Sequence, residues 1–597
     1  MSTPMNTPMH RAIYTNLTSD QIGEKLKVTE AGPACASELS DVLVGRTFRI
    51  VTDRELTLNY EFTSQNRLTL SENGGANIQA GYGALTIKGG VVFSHMIPGA
   101  QKGYNVFVDL ETDLVTVIEV WFSSGLRIGT QAKNDLIVED RETQREVYFG
   151  YIDVAGQKPP EVRHHRTNRV DGRGLHWKQD TGIETLEYYI SVSSVNFVEL
   201  TRHTDYLGFC SPADYILIND NLFIHNRSEA EFSGIFTMFV MDLFSVTQAG
   251  VRLGFNERDE LEYYMFRGKG EIIGHIARLE PFSEHGRDGM GVLPKDPQAA
   301  PARGQRQVYR PVRTFPRMTD EEVHAAALER TVAFGGVAGV DAPQMTMAGH
   351  NMPFSDKLVG KEFTLRYDRI GPVRHYRFQE KYKLSYRDDG ETQWQEADCR
   401  VYEADANLFF FSHLFIDSKP RASAQVVVDL ANGLTTCIHS RMGTAYYGNE
   451  TTYYPLFGVM EMAGIHPPRY KRHELTYELV GRCISMSWSD QMTSMHLYSS
   501  NQSMCWTIFT DDQTRGSQWS APCIFIKLRP NVYMISINEE ACNGAQMIEM
   551  INLKTMRACG FGFSGGARGV SLSLTGALVR NIGRFDATKF LGPRADI

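Results

Sequence analysis

The chain has 597 residues, of which 42% are hydrophobic, and it carries 61 basic against 70 acidic side chains, a formal net charge of −9. This composition excludes a disordered chain, and the acidic balance without any basic run leaves no electrostatic basis for binding nucleic acid. The length is enough for roughly three to five domains.

The N-terminus has no basic segment followed by an apolar run, as a secretory signal would, and no apolar run is as long as a membrane span. The nine cysteines are odd in number and contain no Cys-x-x-Cys pair, which favours reduced, buried thiols over a disulfide framework. We therefore expect a cytoplasmic protein that has neither a membrane nor a nucleic acid as its partner.

The sequence is a tandem duplication. Short motifs of the first half return in the second half between 308 and 320 residues further on. The clearest pairs are Leu43-Val44-Gly45-Arg46 with Leu358-Val359-Gly360-Lys361, Tyr60-Glu61-Phe62 with Tyr376-Arg377-Phe378, Phe93-Ser94-His95 with Phe411-Ser412-His413, and Val108-Asp109-Leu110 with Val428-Asp429-Leu430. A later block, Asn221-Leu222-Phe223, returns as Asn531-Val532-Tyr533 at a spacing of 310. Each half therefore contains two consecutive modules.

The four modules are predicted to be of one type, since Tyr477–Arg482 restates the motif that opens modules 1 and 3. In chain order we predict an N-terminal extension (1–39), module 1 (40–160), module 2 (172–282), a linker with a short helix (283–350), module 3 (355–466) and module 4 (474–590). The helix is predicted from Thr319 to Phe334, because acidic residues in its first turn precede an Ala-rich stretch.

Each module has the pattern of an all-β domain. Polar and apolar residues alternate in Thr47–Val51 and Tyr376–Phe378, and Asn73-Gly74-Gly75 and Asp388-Asp389-Gly390 are turn signals between such strands. About seven to nine strands in about 110 residues fit a closed antiparallel barrel, which also removes exposed sheet edges. The predicted fold class is therefore all-β, with few helices.

These motifs resemble those of the MoaF-like proteins. The Leu-Val-Gly-basic opening and the Tyr-x-Phe, Phe-Ser-His and Val-Asp-Leu strands carry the resemblance, which extends over nearly the whole chain as two tandem units. The pattern is more distantly similar to phenolic acid decarboxylases, and it resembles lyases of lignin-derived aromatic dimers of the phenylcoumaran γ-formaldehyde lyase type. The resemblance implies four calycin- or lipocalin-like barrels, and the family name implies a tie to molybdenum cofactor biosynthesis.

Several standard sites are excluded because parts of them are missing. Gly562–Gly566 has the letters of a nucleophile elbow, but no histidine follows it in the chain. The sequence has no GxxxxGK[ST] phosphate loop and no HExxH zinc motif. The adjacent His164 and His165 would point in opposite directions on a strand. We therefore expect no metal site and no cofactor.

The chemistry is expected inside the barrels, because a barrel of about eight strands holds either packed side chains or one small ligand. The candidates in module 3 are Tyr376, Tyr382, Tyr386, Trp394, Arg400, Tyr402 and His413. Such groups suit an aromatic ligand with a hydroxyl or carboxylate, with Arg400 as a planar anchor and His413 as the general acid or base. Arg400 could equally be an outward, solvated residue.

His95 of module 1 is the counterpart of His413 and is predicted to lie opposite Tyr82 and Tyr104. We predict that His95 is catalytic and that the two tyrosines bind substrate. The alternative is a structural role for both histidines, with each imidazole bonded to a carbonyl. The Tyr-x-Phe motifs are interpreted as core packing.

The second modules have candidates of their own. We predict that His225 binds substrate and that Glu539 is a base whose pKa a cavity raises. Glu229 follows His225 as Glu539 follows the equivalent strand of module 4, and an exposed hairpin tip is the favoured place for both carboxylates.

A tyrosine cluster lies late in module 3. We predict that Tyr453, like Tyr382, is catalytic and that Tyr447 and Tyr454 bind substrate. Tyrosine hydroxyls and a carboxylate can polarise a phenolic substrate toward a quinone methide. The alternative is an aromatic rim that packs a loop.

Three functions remain open from the sequence. The first is a cofactor-independent carbon–carbon lyase that expels formaldehyde or CO2 from an aromatic, phenolic small molecule. The second is a non-catalytic protein that binds a small apolar or pterin-like ligand, and the third is an isomerase or hydratase. A duplicated chain can contain internally the pairing that a single unit obtains by dimerising, and a homodimer is a further candidate assembly.

Overall fold

The computed structural model describes residues 17–122, 143–190, 194–201, 206–229, 235–256, 258–276, 331–333, 347–368, 371–415, 418, 422–442, 451–510, 518–539, 545–566 and 569–591. The described chain is nearly all β, and its strands form antiparallel barrels, so the predicted fold class is confirmed.

The N-terminal segment packs on the first two barrels. Helix α1 spans Ser19–Leu26, with a capping box between Thr18 and Gln21, and a 3-10 turn follows at Lys27–Ala31. Ile22 and Leu26 are buried between modules 1 and 2. Strand β1, Ala34–Cys35, then pairs in parallel with a strand of module 2.

Module 1 is a closed barrel of eight strands in sequence order. These are β2 Thr47–Thr52, β3 Thr57–Ser64, β4 Arg67–Glu72, β5 Ile78–Ile87, β6 Gly90–Met96, β7 Lys102–Asp109, β8 Leu114–Phe122 and β9 Thr143–Ile152. Alternation along β6 turns Val91, Phe93 and His95 into the barrel, whereas Val92 and Met96 pack outward against module 2.

Module 2 follows after β10, His165–Arg166, and is also closed, because its last strand pairs with both its first and its seventh. Its strands are β11 Arg173–Gln179, β12 Glu184–Tyr189, β13 Ser194–Glu199, β14 Gly208–Leu217, β15 Leu222–Ser228, β16 Phe236–Asp242, β17 Thr247–Phe255 and β18 Leu261–His275.

The connecting segment contains β19, Thr331–Ala333, which pairs in parallel with the last strand of module 4. The predicted helix Thr319–Phe334 is therefore wrong over these three residues. A free strand edge offers backbone partners that override the local helix preference. The rest of that helix lies outside the described residues.

Module 3 repeats module 1. Its strands are β20 Glu362–Tyr367, β21 Val373–Glu380, β22 Lys383–Asp388, β23 Gln395–Asp398, β24 Arg400–Asp405, β25 Leu408–Phe415, β26 Ala422–Asp429, β27 Leu434–Met442 and β28 Thr451–Glu461. β23 pairs with β22 and β24 pairs with β25, so the interrupted segment 395–405 takes the place of β5.

Module 4 repeats module 2 and is closed in the same way. After β29, Glu474–Leu475, its strands are β30 Arg482–Ser487, β31 Thr493–Leu497, β32 Ser503–Thr510, β33 Gln518–Arg529, β34 Val532–Glu539, β35 Ala545–Asn552, β36 Arg557–Gly566 and β37 Gly569–Arg584, followed by a 3-10 turn at Thr588–Phe590.

The two halves meet between modules 2 and 4. Asn196 Nδ2 donates to Ser520 Oγ at 2.7 Å, and Cys210 Sγ lies 3.3 Å from Cys505 Sγ. Because Cys210 and Ser520 are equivalent in the repeat, as are Asn196 and Cys505, the contact is nearly two-fold symmetric. Eight cysteines in the described ranges are free and seven of them are buried, as the sequence predicts.

Candidate functional site

A tyrosine–histidine pair lies inside both module 1 and module 3. The Tyr60 hydroxyl is 3.0 Å from His95 Nε2, and the Tyr376 hydroxyl is 3.0 Å from His413 Nε2. Both histidines are 0% exposed, because alternation along β6 and β25 turns them inward. The same pair at equivalent positions of the two halves marks these interiors as the candidate site.

In module 1, His95 has Tyr82 and Tyr104 as its direct neighbours on β5 and β7, so the predicted positions of these three residues are confirmed. The Tyr82 hydroxyl donates to the Ser64 carbonyl at 2.9 Å, and the Tyr104 hydroxyl donates to Glu72 Oε1 at 2.6 Å. Both phenols are therefore already bonded within the barrel, and their predicted role in binding substrate stays a prediction.

Three charges lie at the barrel end nearest to His95, which we call the polar end of module 1. Lys102 Nζ is 3.0 Å from Glu72 and 3.5 Å from Glu119, and the exposed fractions of the three side chains are 33%, 25% and 18%. Half-buried charges of both signs that bond to one another leave this end with little preference for an anionic ligand.

Module 3 has an aromatic lining around His413. The ring of Tyr386 is 4.7 Å from the imidazole, and that of Phe415 is 4.8 Å away. His439 on β27 lies 5.3 Å from Phe415, and Tyr454 lies 4.9 Å from His439. Tyr454 therefore faces the interior, next to a second histidine. The rings of Tyr386, Phe415 and Tyr454 could contact a bound aromatic molecule there.

Arg374 distinguishes module 3 from module 1, where Leu58 occupies the equivalent position. Its Nε and Nη2 atoms donate to the two carboxylate oxygens of Asp388 at 2.5 and 2.9 Å, and its guanidinium lies 4.6 Å from the ring centre of Phe415. The third nitrogen, Nη1, is buried and makes no hydrogen bond to any residue in the described ranges. The interior of module 3 thus presents one unused guanidinium donor.

Burial keeps the interior histidines neutral. Desolvation lowers the pKa of His95 to about 4. Desolvation first, and the nearby positive charge of Arg374 second, lower the pKa of His413 to about 3, and the same two causes lower the pKa of His439 to about 3. At pH 7 all three imidazoles can accept a proton.

The tautomer of His413 follows from its neighbours. Its Nδ1 lies 3.2 Å from the Leu414 carbonyl, which can only accept a hydrogen bond. Nδ1 therefore carries the proton, and Nε2 accepts from the Tyr376 hydroxyl. Arg374 lies beside this hydroxyl and opposes the rise in its pKa that burial causes. A ligand hydroxyl that donates to Tyr376 could pass a proton through it to His413.

Arg400 and Tyr402 do not face the interior: of the two alternatives for Arg400 the outward one is found, and the predicted inward orientation of Tyr402 is wrong. Along β24 it is Val401 that packs into the barrel, and a shift of one residue reverses every side chain of a strand. The Arg400 guanidinium lies 4.4 Å from the ring of Tyr382, and the Tyr402 hydroxyl accepts from Asn351 Nδ2 at 2.6 Å, facing module 4.

Three other predicted residues of module 3 are also outside its interior. Tyr382 lies between β21 and β22 and is 42% exposed. Trp394 lies between the guanidiniums of Arg377 and Arg387, at 4.3 and 5.2 Å. Tyr453 packs toward module 4, because its neighbour Tyr454 takes the inward position. Tyr447 lies outside the described residues.

His225 and Glu229 are buried inside module 2, at 0% and 1% exposure. The exposed hairpin tip favoured for Glu229 is therefore wrong, since inward alternation continues from β15 to this residue. The side chain of the corresponding Glu539 lies outside the described part of the chain.

The sequence reasoning missed Arg374, Asp388 and His439. Arg374 precedes Tyr376 by two residues on the same face of β21, and Asp388 is its direct partner on β22. Period-two alternation from Tyr376 would have found the arginine, but His439 comes from a strand whose pattern is nearly all apolar or small. In the described ranges, no group of three His, Cys, Asp or Glu side chains is arranged to hold a metal ion.

None of the helices in the described ranges is long and apolar enough to span a membrane. The comparison with curated proteins gave no match. The model of the MoaF N-terminal domain matches residues 35–124 and 340–444, in modules 1 and 3, and the model of the MoaF C-terminal domain matches residues 473–584, in module 4. Modules 1, 3 and 4 therefore belong to the MoaF domain families, with the N-terminal type present once in each half.

Proposed function

We propose that this protein is a cofactor-independent carbon–carbon lyase acting on a phenolic aromatic small molecule, with the reaction in module 3. The observation that carries the proposal is the Tyr376–His413 pair beside the unused donor of Arg374. The distant similarity to phenolic acid decarboxylases supports the same class.

Substrate binding would use the lining described above. A carboxylate or phenolate oxygen would accept from Arg374 Nη1, and the aromatic ring would pack against Tyr386, Phe415 and Tyr454. An anion bound there offsets the positive charge that lowers the pKa of His413, so the imidazole becomes a better base when substrate is present.

The bond changes balance without an oxidant. The phenol loses its proton, the benzylic C–O bond breaks to form a quinone methide, and the expelled oxygen takes up that proton. A side-chain CH2OH group then gives its hydroxyl proton to Tyr376, which passes its own proton to His413. The carbon–carbon bond breaks, formaldehyde leaves, and the released electron pair forms a new C=C bond and restores the aromatic ring as a phenolate, which then takes the proton from His413. A carboxylate in place of CH2OH would leave as CO2.

A turnover screen tests the proposal. Purified protein without added cofactor is mixed with phenolic acids and lignin-type dimers, and absorbance and released formaldehyde or CO2 are followed. We expect a red-shifted product, and we expect His413→Phe and Tyr376→Phe to lower kcat about 10²–10⁴-fold, the usual contribution of a general base. His95→Phe in module 1 is the matched control and should retain the rate. No product from any substrate would refute the proposal.

A binding function without turnover is the second candidate. It is favoured by the complete burial of both histidines, which leaves them weak bases in the free protein. Native mass spectrometry showing one bound small molecule of unchanged mass would support it. A product isomeric with the substrate, or heavier by one water, would instead indicate the isomerase or hydratase.

A further inference from the structure

Module 2 holds a row of buried charges that the reaction proposed for module 3 does not use. The five side chains are between 1% and 14% exposed, and they are Glu187, Arg227, Glu229, Arg252 and Glu262. Arg227 donates to Glu187 at 2.5 Å and to Glu229 at 3.3 Å, and Arg252 donates to Glu229 at 2.6 Å and to Glu262 at 2.7 Å. The row crosses the interior from β12 to β18.

The fold does not require these charges. Module 4 closes the same barrel with Ile537 in place of Arg227 and Gly562 in place of Arg252, at the repeat spacing of 310. Replacing buried ion pairs with apolar side chains is often neutral or stabilising, because charges lose their hydration on burial. Both guanidiniums are present in one copy and absent from the other, which therefore points to a role for them besides folding.

His225 lies beside this row without a polar partner. It is 0% exposed, and neither ring nitrogen bonds to any residue of the described ranges. Its ring is surrounded by Tyr189 at 5.5 Å, Tyr215 at 5.1 Å and Phe239 at 4.9 Å. Burial first, and the charge of Arg227 next, hold the pKa of His225 well below its usual value, so the neutral ring offers one donor and one acceptor.

Arg252 adds a second unused donor. Its Nη2 atom is buried and has no hydrogen-bond partner within the described ranges, although Nε and Nη1 are both bonded. Buried polar atoms in folded proteins are almost always satisfied by protein, water or ligand. His225 among its aromatic neighbours offers one donor and one acceptor, Arg252 offers one further donor, and this set describes what an occupant has to supply.

We propose that the interior of module 2 is a second binding site, which takes a planar, uncharged heteroaromatic molecule with a donor and an acceptor on its ring edge, as in a lactam. The lactam edge would bond to His225, a further acceptor would bond to Arg252, and Tyr189, Tyr215 and Phe239 would pack against the ring. Three carboxylates against two guanidiniums leave no surplus positive charge, so an anionic ligand is disfavoured here. This site does not depend on the function proposed for module 3.

Isothermal titration of the full chain tests this site with 2-quinolinone and hypoxanthine as neutral lactams and benzoate as the anionic comparison. We expect a lactam to bind once per chain, and benzoate to bind unaffected by changes in module 2. His225→Phe should weaken lactam binding at least tenfold, whereas His413→Phe in module 3 should change it less than twofold.

Arg252→Lys is the second variant, because it keeps the charge that faces Glu229 but removes the Nη2 donor, and it should weaken lactam binding about threefold or more. If thermal melting shows that His225→Phe is unfolded, the binding measured with Arg252→Lys decides the test. The proposal is overturned if neither lactam binds, if both variants bind as the wild type does, or if His413→Phe abolishes binding.

Discussion

At the scale of single residues, Arg374 separates the interior of module 3 from that of module 1. Two of its nitrogens are bonded to Asp388, which fixes the plane of the guanidinium, and Nη1 is left for a ligand. Module 1 has Leu58 there and a polar end whose charges bond to one another. This difference is the reason that the proposed reaction is assigned to module 3 and not to module 1.

We expect Arg374→Met to lower kcat/KM roughly tenfold to hundredfold for a phenolic substrate that loses formaldehyde from CH2OH and carries a separate carboxylate, because a charge-assisted hydrogen bond contributes about 1.5–3 kcal/mol. The methyl ester of the same substrate should lose much less. Arg400→Met is the matched control and should change kcat/KM less than about twofold, since Arg400 faces outward. Steady-state kinetics measures kcat/KM for the acid and for the ester. An equal loss of kcat/KM for both would contradict the role of Arg374 in binding the carboxylate.

The low pKa of His413 also determines how kcat/KM depends on pH. With the pKa of His413 lowered to about 3, its imidazole stays neutral as pH falls from 7 to 5. We therefore expect kcat/KM for an ester substrate, which has no carboxylate to titrate, to stay level over that range. A loss of activity centred near pH 6.5 would show that His413 is not the proton acceptor.

At the scale of elements, the β6–β7 pairing positions His95. Gly103 on β7 faces the backbone of β6 so closely that an added Cβ would lie 2.4 Å from the His95 carbonyl oxygen. No side chain fits there without moving one strand from the other. The close pairing of β6 with β7, which positions His95, therefore requires glycine at position 103.

We expect Gly103→Ala to lower the free energy of unfolding by about 1–3 kcal/mol through this overpacking. Gly23→Ala is the contrasting variant, because Gly23 lies inside α1 with its nearest neighbour at 3.6 Å, and alanine should stabilise the helix by about 0.5–1 kcal/mol. Urea unfolding of both variants measures the difference, and equal effects would contradict the geometry.

At the scale of the whole molecule, buried neutral histidines link stability to pH. The pKa values of His95, His413 and His496 are lowered to about 4, 3 and 3, chiefly by desolvation. Between pH 6.5 and 4 the unfolded chain takes up protons at these positions and the folded chain does not. The stability that they contribute is therefore complete above pH 6.5 and is lost as pH falls toward 4.

We expect the urea midpoint to fall steadily from pH 6.5 to pH 4.5, each such histidine contributing about 1.4 kcal/mol per pH unit. His496→Phe should make the fall shallower, because His496 packs 4.0 Å from the ring of Trp506 and phenylalanine does not titrate. A variant with the same pH dependence as the wild type would show that His496 is not part of this linkage.

The sequence by itself determined the duplication, the all-β barrels and the inward Phe-Ser-His strands, since these rest on repeats and on period-two alternation within single strands. It also placed Tyr82 and Tyr104 beside His95, because neighbouring antiparallel strands follow one another in the chain.

Only the tertiary structure decided which residues share an interior. Tyr402 was assigned to the wrong face, and the face of Arg400 was left open, because the inward positions from β23 to β24 are Ala397, Cys399 and Val401 and a shift of one residue reverses every side chain. Arg374, Asp388, His413 and His439 come from four strands, and the row from Glu187 to Glu262 also joins four. The pairing and curling of each sheet bring such residues together across distances in sequence that no local pattern records, so the candidate sites became visible only once the strands were paired.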